Sequence, residues 1–138
     1  MKNILLIEDD IIDVKTVKRA IKKCQFDVKL YIASNGEEAL SMLQGTASLG
    51  KIPFPSLVIL DLNMPRMNGI EFLEKIREDE LLKTLIVIVL TTSQDDRDIA
   101  AAYRQNVAGY IIKPLVFSDL IHAFSVIDSY WNLSKLPD

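Results

Sequence analysis

The sequence predicts a single doubly wound α/β domain, a five-stranded parallel sheet with helices on both faces. Three observations carry this. Short apolar runs alternate with helical patterns five times along 138 residues, the pattern of strand–helix crossovers. Four of the runs are apolar without a break, as strands covered on both faces are. The length suits one domain, and 49% apolar with 25% charged residues can bury a core.

The first strand is the run at 4–7, and after Asp10 the residues Val14, Val17, Ile21 and Cys24 fall on one helical face. A weaker run at 28–32 alternates and contains Lys29, so it reads as an edge strand. Asn35 can cap a second helix carrying Ala39, Leu40 and Leu43. The third strand is 57–60, followed beyond Gly69 by a helix with Ile70, Leu73 and Ile76. The fourth is 85–90, with a helix after Ser93 running through Ile99 and Tyr103. Gly109 leads into the fifth run, 110–112, and the last helix carries Leu120, Phe124, Ile127 and Trp131 as one stripe. Residues 44–55, QGTASLGKIPFP, exceed the usual ~2–6-residue connection. They enter a strand, away from the edge where such folds do chemistry, and read as a tolerated insertion or a partner-contact loop. No linker, internal repeat or low-complexity segment interrupts the pattern.

Sixteen Lys and Arg against nineteen Asp and Glu give a net charge of -3, which leaves no basic field for general nucleic-acid binding. The single cysteine, Cys24, can form no intrachain disulfide and no thiolate metal site, which favours a reducing cytoplasm. The opening MKNILLIEDD turns acidic too soon to be expected to act as a signal peptide, and no apolar stretch reaches membrane length. The expected location is cytoplasmic, with neither membrane nor nucleic acid as partner.

Open parallel sheets bind ligands beyond the carboxyl ends of their strands, where strand order reverses. Here the first strand ends in Glu8, Asp9 and Asp10, the third in Asp61, the fourth in Thr91, Thr92 and Ser93, and the fifth in Lys113. Asp10, Thr92 and Ser93 read equally well as helix caps. Adjacent acids at neighbouring strand ends repel unless a cation sits among them. With no Cys or His at hand, carboxylates, a backbone carbonyl and water suit a hard divalent ion such as magnesium. Lys113 adds a mobile positive charge able to pair with Asp61 or an anion on it, and Thr91 adds a hydroxyl. A carboxylate so surrounded is arranged to attack a phosphoryl group, whose equatorial oxygens these partners neutralise.

The segments ILLIEDD, VILDLNMPRMNG, LTTS and AGYIIKP, in this order at these strand ends, resemble the receiver domain of two-component response regulators. The resemblance covers residues 2–128, leaves 129–138 as a tail with no output domain, and implies the flavodoxin-like strand order 2-1-3-4-5. It implies that Glu8 and Asp9 hold Mg2+ with Asp61 and the main-chain carbonyl of Asn63. Glu8 is longer than the commoner Asp and is expected to reach the ion through water. It further implies that Asp61 accepts a phosphoryl group from a sensor histidine kinase while Thr91 and Lys113 contact that group. Thr91 and Tyr110 would form a switch altering the face of the fourth helix, fifth strand and fifth helix, through which a downstream protein target is read; Tyr110 also reads as core packing. A cis bond before Pro114 is implied too. The loop at 44–55 and the ending DSYWNLSKLP look like stand-alone regulators paired with phytochromes, several of which form homodimers through the fifth strand and helix.

His122, the only histidine, points away from the last helix's apolar stripe and reads as solvated or dimer-facing. Trp131 reads as core or dimer packing, and Cys24 as inert packing. Two other functions are open. A haloacid-dehalogenase-like magnesium phosphatase would need a general acid where Asn63 stands. A phosphorylation-independent interaction module would be free to lose the acids, Thr91 and Lys113, all of which are present.

Overall fold

The computed structural model describes residues 2–45 and 51–135. Five strands, β1 (Lys2–Ile7), β2 (Val28–Ala33), β3 (Leu57–Leu60), β4 (Val87–Thr91) and β5 (Gly109–Ile112), alternate with α1 (Ile11–Lys23), α2 (Gly36–Gln44), α3 (Gly69–Glu78), α4 (Asp96–Arg104) and α5 (Phe117–Leu133). All strand pairs are parallel, in the order β2-β1-β3-β4-β5. The chain steps one way from β1 to β2 and the other way to β3, so strand order reverses beside β1.

Strand side chains alternate between two cores. Leu5 and Ile7 of β1, Val58 and Leu60 of β3 and Val87 and Val89 of β4 pack with Ala39 and Leu43 of α2, Phe72, Leu73 and Ile76 of α3, and Ala102 of α4. Ile4, Leu6, Leu57, Ile59 and Leu90 face the other way, onto Val14, Val17 and Ile21 of α1 and Leu120, Phe124 and Trp131 of α5. The unbroken apolar runs are therefore two alternating sets, each covered by helices. The core extends beyond residue 128: Trp131, in the last turn of α5, meets Phe26 edge-on with ring centroids 5.6 Å apart.

Several local details differ from the sequence reading. β5 is an edge strand of half-buried residues, because only β4 lies beside it. The fourth strand starts at Val87; Leu85 is buried in the turn before it. α4 begins at Asp96, capped by Asp95, and buries Ala102, while Tyr103 is exposed. The third helix is capped by a reciprocal Asn68–Glu71 box. The Lys113–Pro114 peptide is trans, not the cis form the resemblance implied. Of the 44–55 loop, 46–50 lie outside the described residues; Gly45 ends α2 in the left-handed conformation (φ 73°), and buried Ile52 donates its N–H to the Met42 carbonyl at 3.0 Å.

Candidate functional site

Backbone hydrogen bonds continue the sheet just past its carboxyl edge. Glu8 N–H donates to Ala33 O (3.0 Å), Asp61 N–H to Ile7 O (3.0 Å) and Lys113 N–H to Thr91 O (2.8 Å). The side chains of Glu8, Asp61, Thr91 and Lys113 thus start from positions fixed by the ladder rather than from free loops. Gly69 tightens the floor: a Cβ there would lie 2.6 Å from the Asp61 carbonyl oxygen, so the chain after β3 can fold back this closely only without a side chain. Arg66 and Met67, before it, have left-handed backbone (φ 52° and 76°).

Glu8, Asp61 and Thr91 are buried and Asp9 is exposed. Carboxylate oxygens of Glu8, Asp9 and Asp61 come within 4.8 Å of one another. Three oxygen donors this close, two of them buried, fit a hard divalent cation, with open coordination left on the exposed Asp9 side. Asn63, exposed after Asp61, donates its backbone N–H to Asp61 Oδ1 at 3.4 Å.

Lys113 Nζ donates to Glu8 Oε1 at 2.6 Å, to Asp13 Oδ2 at 2.7 Å, and to Asp61 Oδ2 at 3.5 Å. The expected pairing with Asp61 is present, but the shorter bonds go to Glu8 and Asp13. Burial pushes the Glu8 carboxyl up to about 7; the charge of Asp61 adds to this, and the hydrogen bond from Lys113 opposes it. Burial alone would weaken the Lys113 ammonium, but the hydrogen bonds to Asp13 and Glu8 outweigh it and hold the lysine above its ordinary range.

Asp10 does not join the acidic cluster: its carboxylate accepts from Ile12 N–H (2.8 Å) and Asp13 N–H (3.4 Å), capping α1. The expectation that magnesium neutralises Asp10 together with Glu8, Asp9 and Asp61 is corrected accordingly. Thr92 is exposed, and Ser93 Oγ donates to Asp98 Oδ2 at 2.6 Å. Thr91 Oγ1 accepts from Ser93 N–H at 3.4 Å, and half-buried Tyr110 donates its hydroxyl to the Ser93 carbonyl at 2.9 Å. Both expected switch residues therefore meet at Ser93. Burial raises the Tyr110 phenol, against the hydrogen bond to Ser93. His122 is exposed, as its place on the helix predicts, and Cys24 donates to the Ile21 carbonyl. Asp13 is the residue that sequence reading missed; its signal was an acid four positions beyond Asp9, one turn into the helix that the acidic run starts.

No helix among the described residues is long and apolar enough to cross a membrane. Comparison with known proteins places the site in context. The family model for the response regulator receiver domain matches residues 4–125. Response regulator Rcp1 of the cyanobacterium Synechocystis is 36% identical over 130 residues, covering 94% of this chain and 88% of its own. A crystal structure of the Mn2+-bound form of response regulator Rcp1 superposes with a TM-score of 0.89 at 35% identity, over 100% of each chain. The phosphorylated cyanobacterial phytochrome response regulator RcpA gives 0.90 at 31% identity, over 99% of each. RPA3017 of R. palustris, a response regulator in red light signaling, gives 0.91 at 30% identity, over 100% of this chain and 99% of that one. The family match spans all four strand ends that build the acidic site, and this chain belongs to the response regulator receiver domain family.

Proposed function

We propose that this chain is a phosphoryl acceptor in which Asp61 takes the group from a phosphohistidine of a sensor kinase, in a magnesium-dependent reaction that alters a protein-binding surface. The observation that carries this reading is the buried Asp61 carboxylate at the end of β3, with the Lys113 ammonium 3.5 Å away and two further acids within cation-sharing distance. An Asp61 oxygen forms the new P–O bond as the donor's P–N bond breaks in line, and the imidazole, protonated on its other nitrogen, leaves as the neutral base. Lys113 and Thr91 take the roles of partners to the phosphoryl oxygens. Glu8, Asp9, Asp61 and the main-chain carbonyl of Asn63 would hold the magnesium ion, which when bound offsets the charge of those oxygens. The all-oxygen donor set and the Mn2+ in the structure of Rcp1 support a divalent cation here.

The switch we assign to Thr91 and Tyr110 runs through Ser93, which both contact. Pulling the Thr91 hydroxyl towards a phosphoryl group shifts the carbonyl that holds Tyr110, and with it the face of α4, β5 and α5 that a downstream protein reads. That face suits a homodimer: β5 has a free edge, Val126 and Tyr130 are exposed, and a groove of about 750 Å3 lies between Ile86, Ile88 and Trp131. A phytochrome as the upstream kinase is supported by the likeness to RcpA, a phytochrome response regulator, and a light-driven input by the likeness to RPA3017, which acts in red light signaling. Because Asn63 carries an amide where a phosphatase of this kind needs a carboxylic acid, the protein hydrolyses only its own phosphoryl group.

The test is intact-mass spectrometry after incubation with phosphoramidate and Mg2+. The expected result is one added phosphate, lost in Asp61→Asn. No addition, or addition unchanged in that variant, refutes the reading, and continuous turnover of a model phosphate ester supports the phosphatase instead.

A further inference from the structure

The Lys113 ammonium rests on two carboxylates other than the acceptor. An ammonium has three protons. Two make short charge-assisted bonds, to Glu8 at 2.6 Å and Asp13 at 2.7 Å, while the third reaches Asp61 only at 3.5 Å, the edge of hydrogen-bonding range. Asp13 stands outside the carboxylates that converge for a cation, which are Glu8, Asp9 and Asp61. Nor does it cap its own helix, since Asp10 does that. Its carboxylate instead crosses from the first turn of α1 to the end of β5, to a residue 100 positions away. A cleft of about 50 Å3 lies beside this pair, lined by Asp13, Thr16, Val17, Lys113 and Pro114 among others.

We infer that Asp13 is a positioning residue for Lys113, the carboxylate that keeps the ammonium at the site when Glu8 turns to a divalent cation. The inference rests on the phosphoacceptor reading above. A cation bound by Asp9 and Asp61, and by Glu8 directly or through a water, draws on the carboxylate that the ammonium now contacts, and two positive groups at such range repel. Displaced from Glu8, the Lys113 side chain, only 17% exposed, would otherwise have Asp61 as its remaining partner, and Asp61 is itself a ligand. With Asp13 in place the ammonium keeps one short ion pair on the solvent side. The Lys113 N–H that had pointed at Glu8 is then free to donate to an oxygen of a phosphoryl group on Asp61. Asp13 thus lowers the cost of cation entry and fixes the lysine for the transfer, although it touches neither cation nor phosphorus.

A double-mutant cycle on the full chain tests this. Mn2+ affinity is measured by electron paramagnetic resonance in the wild type, Asp13→Asn, Lys113→Ala and the double variant; phosphorylation rates with phosphoramidate are measured at saturating Mg2+. In the Lys113 background, Asp13→Asn is expected to weaken Mn2+ by about five- to tenfold and to slow the maximal rate by a similar factor. In the Lys113→Ala background the same change is expected to alter Mn2+ affinity by less than about twofold, the difference being the coupling between the two residues. Asp13→Glu, which keeps the charge, is expected to restore most of both. Equal losses in the two backgrounds, meaning a charge effect at a distance, overturn the inference, as does no loss in either. Absence of phosphorylation in the wild type is a separate outcome that refutes the phosphoacceptor reading itself.

Discussion

Lowering the pH from 8 to 6 is expected to weaken divalent-cation binding about tenfold. The cause is Glu8, whose burial pushes its carboxyl from 4.5 up to about 7 and whose charged form the cation needs. With that value, roughly nine tenths of Glu8 is ionised at pH 8 and roughly one tenth at pH 6, so a proton competes with the cation over this interval. Isothermal calorimetry with Mg2+ or Mn2+ at the two pH values measures the ratio. Glu8→Gln should bind more weakly at pH 8 and lose this pH dependence. The same carboxyl has an opposite signature in the cation-free protein. A folded-state value above the unfolded one makes a contribution to stability that is fully present below about 4.5 and is lost as the pH rises through about 7. Added cation should therefore raise the melting temperature more at pH 8 than at pH 6. Affinities within twofold of each other at the two pH values would refute the assignment of Glu8 as a buried, proton-competing ligand.

Three further perturbations test the frame around the site. Trp131→Ala removes a buried ring packed edge-on against Phe26 and should cost about 3–5 kcal/mol in urea unfolding; a loss under about 1 kcal/mol would place this last turn of α5 outside the cooperative core. Arg77→Ala should cost about 2–3 kcal/mol in the same assay. The Arg77 guanidinium donates to the carbonyls of Lys83, Leu85, Gln105 and Asn106, tying the end of α3 to the turns before β4 and β5. Lysine cannot span that set, so Arg77→Lys is expected to rescue little. Gly69→Ala forces a Cβ to within 2.6 Å of the Asp61 carbonyl and should both lower the melting temperature and weaken Mn2+ binding; unchanged Mn2+ affinity would show that the loop yields without moving Asp61.

The sheet was readable because its central strands are buried on both faces, which leaves apolar runs that no amphipathic helix imitates. β5 has the same kind of run without the same burial: Tyr110, Ile111 and Ile112 are apolar for packing on one side and at an open edge, and hydrophobicity alone does not distinguish that from full burial. α4 failed in a related way. Its stripe through Ile99 and Tyr103 has helical spacing, yet the residue pressed against the sheet is small Ala102. At the site, Glu8, Asp9, Asp61, Thr91 and Lys113 were legible because strand ends place residues predictably. What sequence could not resolve was how one ammonium divides itself among several acids, since Asp10, Asp13 and Asp61 differ there only by direction. The turn of α1 sends Asp13 towards Lys113 and leaves Asp10 on the helix end.

The central claim is that Asp61 carries the phosphoryl group. The most direct measurement is peptide mapping by mass spectrometry after the protein is treated with phosphoramidate and Mg2+ and then reduced with borohydride, which converts an aspartyl phosphate to homoserine. The account predicts homoserine at position 61 alone; homoserine at Asp9 or Asp10, or none in a protein that has gained phosphate, would contradict it.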